Sequence, residues 1–191
     1  MAEADLAAVV AVAAEVHPAY PEDESVFAER LRLAPDGCFV LADPAATDPA
    51  ARGLAGYLVS HPWHADTAPA LDTLLGSLPE RPGTWYLHDL ALLPAARGSG
   101  AGAAIVERLA AQAQMRGFAT MSLVAVGGSS GFWSRRGFSV VTHRALAEKL
   151  ASYGATAQFM RRVLSDARPV ASPPRARTEC PGTRRTDPSC R

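Results

Sequence analysis

Trp85-Tyr86-Leu87-His88-Asp89-Leu90-Ala91-Leu92-Leu93-Pro94-Ala95-Ala96-Arg97-Gly98-Ser99-Gly100-Ala101-Gly102 is the stretch on which the reading of this chain turns. Bulky residues alternate up to Pro94, glycines stand at 98, 100 and 102, and an apolar stripe of Ile105, Leu109 and Ala113 follows at helical spacing. The order is therefore strand, glycine loop and helix, with Gly117 in the position of a C-cap. Bare glycine backbone at a helix N-terminus leaves N–H groups and the positive end of the helix dipole free to hold a pyrophosphate. A nucleotide-containing ligand is expected at this loop.

Several families use such a loop, and neighbouring residues separate them. A P-loop needs Gly-Lys-Ser/Thr, and the only lysine in the chain is Lys149. Gly98-x-Gly100-x-x-Ala103 fits a loose dinucleotide fingerprint, but no Asp or Glu lies between Glu107 and Glu148 to hold a ribose. The phrase Leu90-Ala91-Leu92, Pro94 and Arg97-x-x-Gly100-x-Gly102 resembles the acetyl-CoA loop of the GNAT superfamily of N-acetyltransferases. A second anchor follows: Ser122 to Val126 leads through Gly127-Gly128-Ser129-Ser130 into Gly131-Phe-Trp-Ser-Arg-Arg-Gly137-Phe138. It resembles the strand, short helix and Gly-Phe pair of that superfamily, and the two anchors together span residues 84–142.

The resemblance implies an α/β (α+β) domain: a central mixed, mostly antiparallel sheet flanked by helices, with a splayed central strand. It implies a transferase that moves an acetyl group from acetyl-CoA to a primary amine by direct transfer in a ternary complex. Carried over by motif, the backbone of Leu90, Ala91 and Leu92 would pair with the pantetheine arm. Gly98, Ser99, Gly100, Ala101, Gly102 and Ala103 would hold the pyrophosphate, and Arg97 takes a position where the superfamily often has Gln or Arg. Tyr86-Leu-His88 resembles the His-Leu-His segment of arylalkylamine N-acetyltransferases. His88 is thus the candidate base, with Tyr86 carrying or orienting a water. Strand alternation puts Tyr86, His88, Leu90 and Leu92 on one face and Leu87, Asp89 and Ala91 on the other, which makes Asp89 a structural residue.

Two departures bear on mechanism. Many members carry Tyr four residues before the Gly-Phe pair, as the acid for the leaving thiolate; this chain has Trp133, whose indole gives up no proton. The Asn common near the start of that helix is replaced by Gly127 and Gly128. Trp133 favours the alternative of a GNAT-fold protein that binds acetyl-CoA without turnover, as a regulatory or interaction protein. A dinucleotide-dependent oxidoreductase is a more distant alternative. For the acceptor, Tyr20, Glu22 and Asp23 could receive a cationic amine, and His61, Trp63 and Trp133 would shape the pocket. His61-x-x-His64 with Asp66 offers no closed ligand set, so no metal is expected.

The rest of the chain sets the frame. With 191 residues, 48% hydrophobic, one core is affordable and a second domain is not. Residues 1–167 read as that domain. Residues 168–191 hold no Leu, Ile, Met, Phe, Trp or Tyr and carry six Arg against two acids, the composition of a disordered basic tail rich in Pro and Arg. The formal net charge is zero, and the body alone is acidic, so no nucleic-acid partner is expected. Three cysteines form no framework, the N-terminus is acidic where a signal peptide is basic, and no apolar run reaches membrane length. A cytoplasmic monomer or homodimer with a small-molecule or peptide amine acceptor and no membrane partner is expected.

In chain order, Asp5 is expected to cap a helix from Leu6 to His17, and Ser25 one that runs to Leu33. Strands follow at Cys38–Ala42 and Leu54–Ser60. The long connection from His61 to Gly83 is of a length that is usually functional, and Leu71–Leu75 in it is expected as a helical turn. After the glycine-led helix come a strand over Ala119–Val126, a helix over Ser129–Arg136, and strands over Phe138–Val141 and Ala155–Val163, with a helix or loop at Ala145–Tyr153 between the last two.

Overall fold

Hydrophobic periodicity becomes secondary structure along most of the chain. The computed structural model describes residues 1–43, 53–142, 146, 150, 153, 154 and 156–164. Its helices are α1 (Leu6–Val16), α2 (Glu24–Leu33), α3 (Ala101–Met115) and α4 (Ser130–Ser134). Its strands are β1 (Cys38–Ala42), β2 (Leu54–Trp63), β3 (Thr84–Leu92), β4 (Thr120–Ala125), β5 (Ser139–Val140) and β6 (Gln158–Val163). The expected tail at 168–191, and most of the expected segment at Ala145–Tyr153, lie outside the described residues.

Both expected caps are corrected. Asp5 makes no side-chain cap; its carboxylate accepts the Ala2 N–H at 2.7 Å and so fixes the turn before α1. At α2 the N-cap is Asp23, whose Oδ1 accepts from the Ser25 N–H at 2.8 Å. An ionised carboxylate at a helix N-terminus accepts an orphan N–H and also meets the positive dipole end, which is why Asp23 can take this place from Ser25.

The six strands lie in the order β1-β2-β3-β4-β6-β5, antiparallel except for β3 with β4. The helices bury both faces. On one face Leu87, Trp85 and Leu58 pack with Val106, Leu109 and Ala113 of α3 and with Trp133 and Phe138. On the other, Leu6, Val9 and Val12 of α1 and Phe27 and Leu31 of α2 meet Tyr57, Val59 and Ala91. Each fully buried Leu or Val contributes about 1.5–3 kcal/mol to this packing.

Two irregularities in β3 position the site. The parallel ladder with β4 joins only Trp85 to Met121 and Tyr86 to Ser122, so from Leu87 onward the two strands part in a wedge. On its other edge the register with β2 slips: Val59 faces Asp89 and Ser60 faces Leu87, which leaves His88 as an extra residue. That is a β-bulge, and a bulge resets which face a side chain takes. Before it, Trp85 and Leu87 face α3; after it, Leu90 packs toward α3 and Ala91 toward α1 and α2. The expected alternation is thus corrected: His88 and Asp89 both reach the α1–α2 side, while Leu90 and Leu92 turn away from it.

The connection from β2 to β3 is closed at its base by the Gly83 N–H donating to the Trp63 carbonyl at 2.8 Å. It holds no helical turn at Leu71–Leu75. Asp72 and Gly76 both adopt positive φ, 46° and 72°, which a right-handed helix cannot include. The segment is held from α2 instead. Glu29 accepts the N–H groups of Leu75 (2.6 Å) and Gly76 (2.9 Å), and Arg30, fully buried, donates to the Thr73 carbonyl at 2.8 Å.

Candidate active site

The wedge between β3 and β4 ends at the glycine loop. Arg97 is exposed, and its Nε donates to the Leu92 carbonyl at 3.1 Å, which fixes the turn leaving β3. Ser99 Oγ donates to the Ala96 carbonyl at 2.8 Å and accepts from the Ala101 N–H at 3.3 Å. Gly98 and Gly100 stand at φ 78° and 87°, and Gly100 is the N-cap of α3 with no side chain capping it. A Cβ built at either glycine meets nothing within 4 Å, so the space over the loop is open. At Gly102 the situation is reversed: a Cβ would lie 3.1 Å from Leu92 Cδ1 and 3.5 Å from Phe132 Cζ. Gly102 lets α3 start against β3, and Ala103 follows in its first turn. An uncapped helix start, open glycine backbone and an unpaired strand edge fit a ligand with a pyrophosphate and an extended amide arm.

Across the bulge, side chains from four elements converge. Glu22, in the α1–α2 connection, lies with Oε2 at 2.9 Å from His88 Nε2, both side chains nearly closed to solvent at 6% and 5% exposure. Burial alone would raise the Glu22 carboxyl, but the hydrogen bond and charge of His88, with the Asp72 N–H donating at 3.1 Å, outweigh it and hold its pKa below the ordinary value. Glu22 is therefore a carboxylate that orients His88. The expectation that it receives a cationic acceptor directly is corrected by this pairing.

Asp89, expected to be structural, is the centre of a second pair. His17 Nε2, just past the end of α1, lies 3.1 Å from Asp89 Oδ1, and the Tyr57 hydroxyl donates to the other carboxylate oxygen. Burial opposes ionisation of Asp89, yet the contacts with His17 and Tyr57 lower its pKa; the same partnership raises that of His17 against the effect of its own burial. His17 carried no motif, and nothing near it in sequence marks it. Only the bulge and the packing of α1 on β3 bring it here.

Tyr86 and the expected acceptor residues have other partners. Tyr86 is buried beside Phe159 and Ala68, and its hydroxyl is hydrogen-bonded to that of Tyr153, which donates in turn to the Pro69 carbonyl. Desolvation and this bond raise the Tyr86 pKa far above the ordinary value, so the phenol keeps its proton and joins loops instead of relaying one. Tyr20 donates to the Tyr153 carbonyl at 3.1 Å, tying the α1–α2 connection to the segment before β6. Trp63 lies at the end of β2, with its ring 5.4 Å from His61 and 5.2 Å from His64. His61 is fully buried beneath Tyr86 and His88, with ring centroids at 5.6 and 6.0 Å, and so forms the floor under the pair, not a pocket wall.

Trp133 is corrected as well. It is 7% exposed, packed edge-on to Phe132 and Phe138 in the α3-side core, and its indole N–H donates to Ser129 Oγ at 3.2 Å. Its apolar bulk fits that core, which is why it does not face an acceptor. Among the described residues no three His, Cys, Asp or Glu side chains are grouped as a metal ion would need, and no helix is long and apolar enough to cross a membrane.

Comparison with known proteins agrees with this fold. The family model described as the Acetyltransferase (GNAT) family matches residues 7–138. No curated protein matches the chain in sequence. Among solved structures, the GphF GNAT-like decarboxylase in complex with isobutyryl-CoA is similar at a TM-score of 0.68 and 18% identity, over 86% of this chain and 97% of that one. The ribosomal-protein-S18-alanine N-acetyltransferase from Escherichia coli is similar at 0.59 and 20% identity, over 87% and 92%. Chaetomium thermophilum Naa20 in complex with a bisubstrate analogue is similar at 0.61 and 16% identity, over 86% and 84%. At these identities the likeness establishes the fold. With the family model spanning α1, α2 and the glycine loop, the chain belongs to the GNAT acetyltransferase family.

Proposed function

We propose that this protein is an acetyl-CoA-dependent N-acetyltransferase that acylates a primary amine by direct transfer. The observation that carries the proposal is the meeting, at one bulge of a splayed strand, of a carboxylate-held histidine and an open, glycine-led helix start. The amine must lose a proton as its nitrogen attacks the thioester carbonyl. With Glu22 ionised, His88 presents Nε2–H to it, and in the neutral ring Nδ1 keeps the lone pair that takes that proton, directly or through one water. The arrangement is that of a base held by a third group, as in other nucleophile-activating sites. Acetyl-CoA would lie along the free edge of Leu87–Leu92, with its pyrophosphate over Gly98–Ala103. Solved relatives of the same fold are described with CoA or isobutyryl-CoA, which supports an acyl-CoA donor.

The alternative of a non-catalytic acyl-CoA-binding protein drew on Trp133, and Trp133 lies in the core, so it favours neither reading. Titration calorimetry with acetyl-CoA, with NADH and a Gly100→Trp variant as controls, tests the donor. Micromolar binding of acetyl-CoA, lost in the variant, is expected. Transfer to a panel of amines, read by free thiol and lost in His88→Ala, is the expected second result. Tight binding with no thiol release for any amine would favour the non-catalytic reading, and NADH binding without acetyl-CoA binding would overturn both.

A further inference from the structure

The pair formed by His17 and Asp89 has no part in the scheme above, yet it is more open than the one that does. His17 and Asp89 side chains are 24% and 20% exposed, against 5% and 6% for His88 and Glu22. His17 Nε2 lies 3.1 Å from Asp89 Oδ1, an ion-pair contact without hydrogen-bond alignment, and the Leu90 backbone beside the ring also favours its protonated form. The ionised carboxylate of Asp89 at this distance favours the imidazolium over the neutral ring. His17 is also the C-cap of α1, where the negative end of the helix dipole favours a cation. Leu90 lies in the part of β3 that has parted from β4, where the thioester arm would pass.

Resting on the N-acetyltransferase reading, we propose that His17, held by Asp89, is the acid that protonates the departing CoA thiolate. The amine nitrogen bonds to the acyl carbon, the carbon–sulfur bond breaks with its electron pair going to sulfur, and sulfur takes a proton from the His17 imidazolium. The ring is left neutral, His88 holds the proton from the amine, and solvent returns both to their starting forms. Asp89 and the Leu90 backbone face the ring from β3 and Tyr57 reaches the same carboxylate from β2. Arg97, from the turn after β3, acts against the ring's charge. Tyr86, hydrogen-bonded to Tyr153, and Trp133, with its N–H on Ser129, are both occupied elsewhere.

The test compares two donors, with the amine that the panel identifies as acceptor and the full chain as enzyme. With acetyl-CoA, His17→Gln should lower kcat by about 10²-fold while its affinity for acetyl-CoA holds within about threefold. With acetyl thionitrobenzoate, whose thiolate leaves without a proton, the deficit should shrink to about threefold. Wild-type kcat with acetyl-CoA should fall on the alkaline side as His17 loses its proton, and Asp89→Asn should move that limb to lower pH while keeping the ring. An equal deficit with both donors, or no deficit, would overturn the proposal while leaving the acetyltransferase reading intact, because wild type still turns over. A wild type that transfers no acetyl group to any amine of the panel would overturn both.

Discussion

At the scale of single residues, the site depends on which carboxylate holds which histidine. Glu22 comes from a connection 66 residues before His88, and no spacing rule links them; only the fold does. His88 stands out in the sequence through its setting in Tyr86-Leu-His88, whereas Glu22 shows there only as a charge and its pairing with His88 does not show at all. Replacing His88 by Ala should reduce acetyl transfer by about 10²–10⁴-fold with acetyl-CoA affinity unchanged, the range expected when a general base is lost. Glu22→Gln keeps a hydrogen-bonding side chain but removes the charge that fixes Nε2–H. It should lower kcat by about tenfold or more and leave donor binding intact, a split that steady-state kinetics and calorimetry together resolve. An equal loss of donor affinity in both variants would mean that the pair organises the fold and not the proton transfer.

At the scale of elements, the glycine loop and the Gly-Phe anchor were legible because glycine at a helix start answers a local backbone need that sequence states openly. The faces of β3 were not, because alternation assumes an unbroken ladder and His88 is the extra residue of a bulge. One slipped residue moved Asp89 to the His88 side and sent Leu90 and Leu92 to the other. The same element logic makes Gly102 a sensitive position. A valine there places carbon within 3.1 Å of Leu92 and pushes α3 from β3, so Gly102→Val should destabilise the fold by about 1–3 kcal/mol, as overpacking does, and weaken acetyl-CoA binding. The β2–β3 connection depends on Glu29 in the same way. Glu29→Ala removes the acceptor for Leu75 and Gly76 and leaves Arg30 without its buried carboxylate, a loss of about 3–5 kcal/mol in chemical denaturation. Hydrogen exchange of the Leu75 and Gly76 amides should speed up beyond what global unfolding accounts for.

At the scale of the whole molecule, the site's histidines and carboxylates write themselves into stability against pH. Glu22 and Asp89 have folded pKa values below their unfolded ones, so their contribution is complete above about pH 4.5 and is lost as pH falls through the folded values. His17 is raised, so its contribution is complete below about pH 6.5 and is lost as pH rises through its folded value. Neither group changes stability between about pH 6.5 and 5. His61 does. Its Nδ1 lies 3.0 Å from the Pro62 carbonyl, which can only accept, so Nδ1 carries the hydrogen and the buried Nε2 is bare and without a partner. Desolvation first, and then the neighbouring charge of His88, push its pKa down to about 3. In this window the unfolded chain binds a proton at position 61 that the folded chain refuses, so stability must fall with pH. The size is about 2 kcal/mol from pH 6.5 to 5, at about 1.4 kcal/mol per unit. His61→Asn keeps a donor for the Pro62 carbonyl and has no group that titrates. It should flatten urea-denaturation stability across this window even if its absolute stability is lower. A slope that survives the substitution would place the acid sensitivity elsewhere and remove His61 as the neutral floor beneath the His88 pair.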